Sequence, residues 1–599
     1  MKKFFLCLAA SMLALVLCVS TASAYTTNNA GEVMVRVGIA SSSSGSKIEE
    51  LIGANLWNNT GYGAGYRFGY YDEDLDFVEL ARTSPDMEQV SVIKTQNTWF
   101  RGNDRNSFRN EDNGGTYVGC YHLQLPGSYL SYEEAEADAS LYGGFVAWIN
   151  GVYRVRVGSY LERSGAEQAL AAIPNSSIAG TSTYGMNVIE TGTSNILFQY
   201  DMGAGTKLAV LPDVTGAEDV RTWFYDIKYR GGFTYQRIDG GDLTVVNVVE
   251  LEDYVKGVAP YEMGRSWPLE ALKTQATCAR TYAMRRIGRH GSLGFDVCPS
   301  DHCQVYNGVG SKSTTWGPTP VSDRAVEETA GQVLWYQDKL AETVYSSSHG
   351  GASEDAKYIW GTDTTIQHPY LCGVVDPYEK LADDINPRSS WTVTYSSREL
   401  TQRLNEKGFG MGTSVDHMDL TYSDLGNVIR LEVYWTNGQK NTFKPSDGRS
   451  SIRSVFGVNS IRFTVNDAGT APEPEAPPVS FWVNRTEKLM SLADRFVLGG
   501  DGTARKAGEE LYTITGDGAI IKLDQGGGQS EPAQPSKPGE NKAGRVTVSG
   551  DTYVFRGSGW GHSVGMSQFG AYAMAEEGYT YDQICQFYFP GTHVGPIRK

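Results

Sequence analysis

Few residues of this chain have the type and setting to do chemistry, and Glu262 heads them. It sits in Pro260-Tyr261-Glu262-Met263, a turn-like segment just ahead of a long helical pattern. A carboxylate placed there can act as a general acid/base, or it can merely complement the positive end of the helix dipole. Tyr261, Met263 and Trp267 give it apolar neighbours, which raise a carboxyl pKa, while the helix N-terminus opposes that shift. Cleavage of a glycosidic bond needs such an acid to protonate the leaving oxygen. Ordinary glycoside hydrolases add a second carboxylate as nucleophile or base. Glu252, Asp253 and Glu270 are near in sequence.

Lys273 and Arg280 are seven residues apart, which places them on one helix face, able to reach substrate oxygens, hold a carboxylate or form a solvated stripe. Cys298-x-x-x-His302-Cys303 is the best metal-like group. Two thiolates and an imidazole suit tetrahedral zinc, with His290 as fourth ligand, although free or oxidised thiols fit the spacing equally. Further on, Gly559-Trp560-Gly561-His562 and Met566-Ser567-Gln568 form a Gly-rich loop that opens a helix. Glycines let a backbone approach a sugar closely, and Trp560, His562 and Gln568 offer stacking and hydrogen bonds; a tight turn around a packed Trp fits as well.

The elements that must position these groups follow from periodicity. A strand-like run, Leu243 to Val249, leads into the segment LEDYVKGVAPYEMGRSWPLEALKTQATCARTYAMRRIGR. Pro268 suits a first helical position. Leu269, Leu272, Ala276, Ala279, Ala283 and Ile287 then recur at spacings of three and four, predicting one buried helix face.

Length and composition bound the rest. At 599 residues the chain needs several domains. Residues 1–24 read as a secretory signal peptide, and no later stretch reaches the length of a membrane span, so the mature protein is expected to be exported. Losing Lys2 and Lys3 moves the formal charge from −17 to −19, which argues against nucleic acid as a partner. A glycan read by stacking and hydrogen bonds remains compatible, with 35 Tyr and 12 Trp available. The six cysteines outside the signal are too scattered for a disulfide scaffold.

The fold class expected is α+β and multidomain. Residues 25–114 read as a β-rich segment. Residues 115–193 hold an internal repeat, YHLQLPGSYLSYEEAEADAS echoed by YRVRVGSYLERSGAEQALAA, which predicts two strand–helix units in a split βαβ sandwich. Residues 194–465 read as one mixed α and β domain. Residues 466–545 read as an insertion with Pro/Gly-rich linkers and short strands, after which 546–599 return to the interrupted domain.

The stretch YVKGVAPYEMGRSWPLEALKTQATCARTYA, together with CPSDHCQVYNG at 298–308 and GSGWGHSVGMSQFGAYAMAEEGYTYDQICQFYFPGT at 557–592, resembles the stage II sporulation protein D (SpoIID/LytB) family of cell-wall proteins. The resemblance implies a lytic transglycosylase with Glu262 as its acid/base, acting on peptidoglycan glycan strands and preferring those without stem peptides, with a sporulation role and a cell-wall location. It gives Lys273 and Arg280 places in the family pattern. It implies zinc on the Cys-His-Cys group, structural or accessory, and leaves open that Gln304 and Tyr306 face the cleft with His302. VYSSSHGGASEDAKYIWGT at 344–362 adds a loop with Ser348 and a Trp-Gly pair with Trp360 as glycan-lining elements. The repeat at 115–193 resembles the SPOR domain, which binds glycan stripped of its peptides. The family name also covers amidase enhancers, which implies a second reading: a wall-binding stimulator of an amidase, with that amidase or other sporulation envelope proteins as partners.

Overall fold

The computed structural model describes residues 26–598 apart from 59–64, 103–106, 214–220, 313–315 and most of 469–543, where six short strands alone are given. The signal segment lies outside the described residues. The chain divides into two compact units, residues 1–344 with 571–599, and residues 345–570. The fold is α+β and multidomain as expected, but the division falls at 344 and 570. The segment 194–465, read as one domain, is therefore split between the units.

The first unit is built on two sheets. A six-stranded antiparallel sheet runs in the order Met34–Ala40, Leu243–Glu250, Gly232–Arg237, Lys207–Pro212, Tyr66–Tyr71, Phe77–Arg82. Its strand Leu243–Glu250 is buried at every position but the last, as expected for a run of Leu, Thr and Val flanked on both edges. Met34–Ala40 pairs with it from Met34 opposite Glu250 to Ala40 opposite Val245. The N-terminal segment is thus part of the unit that carries Glu262, not a separate β-rich region.

The second sheet has ten strands and contains the predicted repeat. Tyr121–Gln124, Phe145–Ile149, Val152–Tyr160 and Ser177–Ala179 lie in the spatial order fourth, first, third, second, with helices Tyr132–Tyr142 and Arg163–Ala169 between them. This is the split βαβ arrangement. It is not self-contained, however: Phe145–Ile149 continues in parallel into Ile196–Asp201, and Met186–Glu190 joins that strand to Gln89–Lys94. The expected boundary at 193 therefore cuts through a hydrogen-bonded sheet.

The signature helix is Leu269–Arg285, starting one residue after Pro268. Every residue from Ala271 to Met284 except Lys273 is buried, so the single apolar face expected from spacing is too narrow a description. Helices Leu251–Lys256, Pro320–Glu328 and Tyr581–Tyr588 and strand Gln332–Tyr336 enclose it. Residues of both sheets and of this helix, among them Val37, Val92, Phe198, Val245 and Ala276, form one hydrophobic core.

The second unit holds a three-stranded sheet (Trp391–Ser396, Thr552–Gly557, Phe463–Val465) and a four-stranded one (Lys440–Phe443, Val428–Trp435, Val415–Tyr422, Arg545–Ser549). They share a core that includes Trp435, Phe456 and Phe555. Within the insertion, the expected short strands are present as three antiparallel pairs, Phe481–Val483 with Thr486–Lys488, Phe496–Leu498 with Ala504–Lys506, and Leu511–Ile514 with Ile520–Leu523.

Candidate active site and Cys-His cluster

Glu262 is the last residue of a one-turn helix, Ala259–Glu262, that precedes the signature helix. It is half-buried, and its Oε1 accepts a hydrogen bond of 2.8 Å from the Val305 N–H. A main-chain donor fixes one carboxyl oxygen in place without adding a formal charge. Trp316, unmarked by any sequence pattern, is latched to the same turn: its Nε1 donates to the Pro260 carbonyl at 2.8 Å, and its ring stays 47% exposed. The Arg265 guanidinium lies 5.5 Å from that ring's centre.

The three acids close to Glu262 in sequence are held by cations. Glu252 receives Nε of Arg280 at 2.9 Å and the Gly331 N–H at 2.9 Å. Asp253 lies 3.6 Å from Arg230. Glu270 holds Lys273 at 2.8 Å and accepts the Tyr581 N–H at 2.8 Å.

This geometry corrects several expectations. Arg280 is fully buried, and its guanidinium serves Glu252 and the carbonyls of Gln332 and Val326. It holds the Glu252 carboxylate and has no exposed surface of its own. Lys273 is committed to Glu270 and Glu328, the latter at 2.6 Å. Tyr306 is buried with its hydroxyl on Asn247 at 2.7 Å and its ring 5.0 Å from that of Tyr254. Gln304, also buried, accepts the Tyr254 hydroxyl at 3.0 Å. Neither residue faces solvent. Their segment serves the site instead through the Val305 main chain that Glu262 uses.

His290, Cys298, His302 and Cys303 do come together, with one donor atom from each lying within 4.8 Å of all the others. Cys298 Sγ is 3.2 Å from His302 Nδ1, His290 Nε2 is 3.4 Å from Cys303 Sγ, and Cys303 Sγ is 3.8 Å from His302 Nδ1. Tetrahedral zinc, with bonds of about 2.3 Å to sulfur and about 2.0 Å to nitrogen, sets such ligand pairs about 3.5 Å apart. The donor set and its spacing fit a closed zinc site. The Cys298 thiol, donating to Cys303, holds the Cys303 pKa below the usual thiol range, with His290 and Arg289 adding to the effect. Cys298 is shifted upward in return.

The cluster is fixed from the N-terminal side. Arg36 pairs with Asp296 at 2.7 Å, and Asp296 also accepts the Gly288 N–H at 2.9 Å. Gly45 lies so close that an added Cβ would sit 2.3 Å from Cys298 Sγ. Nothing in a Ser-rich loop 250 residues upstream signals this contact.

In the second unit Ser348 is buried, its backbone exchanging hydrogen bonds of 3.1 and 2.8 Å with Trp560, and its Oγ accepts from Asn386 at 3.2 Å. Gln568 is buried too. Trp560 and Trp360 are 42% and 44% exposed. The Arg388 guanidinium lies 4.5 Å from the Trp560 ring centre, and Trp360 lies 5.1 Å from His562. Burial, reinforced by Arg453, lowers the His562 pKa to about 4, so its ring is neutral at physiological pH. Gly559 and Gly561 both have positive φ, and a Cβ on Gly561 would lie 2.3 Å from Ser346 Cβ. These glycines let two loops of the protein approach each other, a role the expectation of sugar contact had missed. Beneath them Glu379 accepts the His349 and Gly350 N–H groups and the Ser567 hydroxyl at 2.7–2.8 Å.

Residues 239–336 match the family model SpoIID, described as stage II sporulation protein. The match covers the strand, the signature helix, Glu262 and the Cys-His cluster. Over 343 residues the chain is 30% identical to the "Amidase enhancer" of Bacillus subtilis (strain 168), which takes in 56% of this chain and 40% of that protein. It is 26% identical over 359 residues to the "Stage II sporulation protein D" of the same organism, covering 58% of this chain and 75% of the relative. A third relative, "Stage II sporulation protein D" of Bacillus amyloliquefaciens, is 32% identical over 230 residues, 36% of this chain and 60% of its own length. SpoIID relatedness is thereby supported for the segment that holds the candidate acid. Among the described residues, no helix is long and apolar enough to cross a membrane.

Proposed function

We propose that this chain is an exported lytic transglycosylase that cleaves peptidoglycan glycan strands between N-acetylmuramic acid and N-acetylglucosamine during sporulation-related wall remodelling. The observation that carries the reading is Glu262, held by the Val305 N–H at the head of the signature helix while its acidic neighbours in sequence are committed to cations. A single carboxyl group suffices for this chemistry. The Glu262 acid protonates the glycosidic oxygen as the bond to C1 breaks. The resulting carboxylate then takes the proton of the C6 hydroxyl as O6 attacks C1. The product is a 1,6-anhydro sugar, the acid is regenerated, and no water is consumed.

His290, Cys298, His302 and Cys303 would hold one zinc. With all four positions filled by protein, the ion would brace the segment from the signature helix to Val305 and take no substrate. Elemental analysis of protein purified without chelator tests this; a zinc content near zero rejects it. The split βαβ module at 121–179 would hold strands stripped of peptides, in keeping with its SPOR-like repeat. The exposed Trp360 and Trp560 of the second unit would offer sugars stacking surfaces.

A second reading has its own support. The relative named amidase enhancer favours a non-catalytic protein that binds wall and stimulates an amidase. Mass spectrometry of purified glycan strands after incubation separates the two. Anhydro ends support the transglycosylase, reducing ends a hydrolase, and unchanged strands the enhancer.

A further inference from the structure

One cation beside Glu262 has no role so far. Lys47 follows Gly45 on the loop that leaves the strand Met34–Ala40. That loop is pinned rather than free: Ser41 N donates to the Ile48 carbonyl at 3.0 Å, the Ser41 and Ser46 hydroxyls are bonded, and Gly45 is seated on Cys298 and His302. From it Lys47 Nζ donates to Asn307 Oδ1 at 2.6 Å. Two residues before Asn307 is Val305, whose N–H holds Glu262, and the Asn307 carbonyl accepts the Tyr261 hydroxyl at 3.4 Å. Lys47 and Glu262 are thus attached to one three-residue stretch, Val305 to Asn307.

Lys47 is bonded differently from the ion-paired lysines of the unit. Lys273 holds two carboxylates, Lys94 holds Asp242 and Lys256 holds Glu327. Among the described residues, the one hydrogen-bond partner of Lys47 is the neutral Asn307 side chain. Surrounding chain partly desolvates the ammonium and lowers its pKa, while Glu262 and Asp301 act on it through space in the other sense. An ammonium has three N–H donors, so two remain for a further acceptor. In a chain with 69 acidic and 52 basic residues, a cation without an acidic hydrogen-bond partner beside a candidate acid/base group is a feature to explain.

We propose that Lys47 receives the lactyl carboxylate of muramic acid in strands whose stem peptides have been removed. The inference rests on the transglycosylase reading and assigns a residue to the preference for strands without stem peptides. The lactyl ether is carried on C3 of the same ring whose C1 reacts, so its carboxylate lies within one sugar's width of the acid. In strands that keep their peptides this group is a neutral amide; in stripped strands it is an anion, and a charge-assisted bond to an ammonium distinguishes the two.

The test uses the full chain and two substrates, stripped strands and the same strands with lactyl carboxylates converted to methylamides, with release of anhydro ends as readout. Lys47→Met is expected to raise KM on stripped strands about tenfold with kcat retained, and to leave the methylamide strands unaffected. Lys47→Arg should recover most of the loss. An unchanged KM on stripped strands, or an equal loss on both substrates, overturns the proposal; the latter would mean that Lys47 acts only on the charge of Glu262. Binding of a soluble N-acetylglucosamine–N-acetylmuramic acid oligosaccharide to Glu262→Gln protein, with and without Lys47→Met, repeats the comparison without turnover. Wild-type protein that cuts neither substrate, while Lys47→Met still weakens binding tenfold, would remove the transglycosylase reading and leave the role of Lys47 standing.

Discussion

Around the signature helix, Arg280, Gln304 and Tyr306 are sealed into the core, and Lys273 is locked between Glu270 and Glu328. In the second unit the marked aromatics do the reverse, with Trp360 and Trp560 keeping 44% and 42% of their surface open. Both sets belong to stretches with the same family resemblance. The difference teaches that a motif residue can be specified for what it holds up as well as for what it touches. In the first unit Glu262 is the group proposed for chemistry, and the charged and aromatic residues around it build the frame.

Replacing Glu262 with Gln tests that division most severely. Loss of a general acid/base should lower the cleavage rate by about 10²–10⁴-fold while the thermal midpoint stays at the wild-type value. Arg280→Met should do the opposite in kind. Breaking a buried pair should cost about 3–5 kcal/mol of stability, seen in denaturant unfolding. If Arg280→Met instead kept its stability and only raised KM, the guanidinium would be a substrate contact and the comparison would fail.

The Cys-His cluster should fall between these extremes. Exchanging Cys298 and Cys303 for Ser should abolish metal content, lower the thermal midpoint and reduce activity without the complete loss expected of Glu262→Gln. Gly45→Ala should weaken the cluster in the same direction, because its methyl group would collide with Cys298 Sγ.

In the second unit, Glu354 offers a pH test. Burial raises its pKa to about 7, against the hydrogen bonds of Ser423, Asp355 N–H and Asn427. Between about pH 4.5 and 7 the folded chain therefore keeps a proton that the unfolded chain has released. Stability from this residue is full below that window and falls as pH rises through it, by at most about 1.4 kcal/mol per pH unit. Glu354→Gln should flatten that slope in urea unfolding measured across the window. The smallest effect is expected of Trp560→Ala, a loss of about 1 kcal/mol in glycan binding with the midpoint unchanged.

How much of this could be read from the sequence depended on the range of the interaction. The signature helix, the two strand–helix units of the repeat and four of the six short strands of the insertion arise from local periodicity, and they stand where the pattern put them; the other two short strands, Thr486–Lys488 and Ala504–Lys506, were not legible. The Cys-His group was legible because three of its members lie within six residues and His290 is close by. Lys47, Gly45 and Trp316 were not, since each reaches the site through loop contacts that no periodicity encodes. The burial of Arg280 was hidden for a related reason: seven-residue spacing identifies a helix face but not what covers it. Here Pro320–Glu328 and Gln332–Tyr336 do.

The pairing of His593–Pro596 with Gln332–Tyr336 bears on the order in which the molecule can fold. Trp335 Nε1 reaches the Pro596 carbonyl across 261 residues of chain, and Tyr581 reaches back to Glu270. Contacts of such separation form late, because the entropy of closing the loop is lost before any of them is made. Residues 345–570 lie wholly within that loop and have a core of their own. During synthesis the second unit can therefore reach its folded state while the first still waits for the strand His593–Pro596, and the pairing of Gln332–Tyr336 is completed only when that strand arrives.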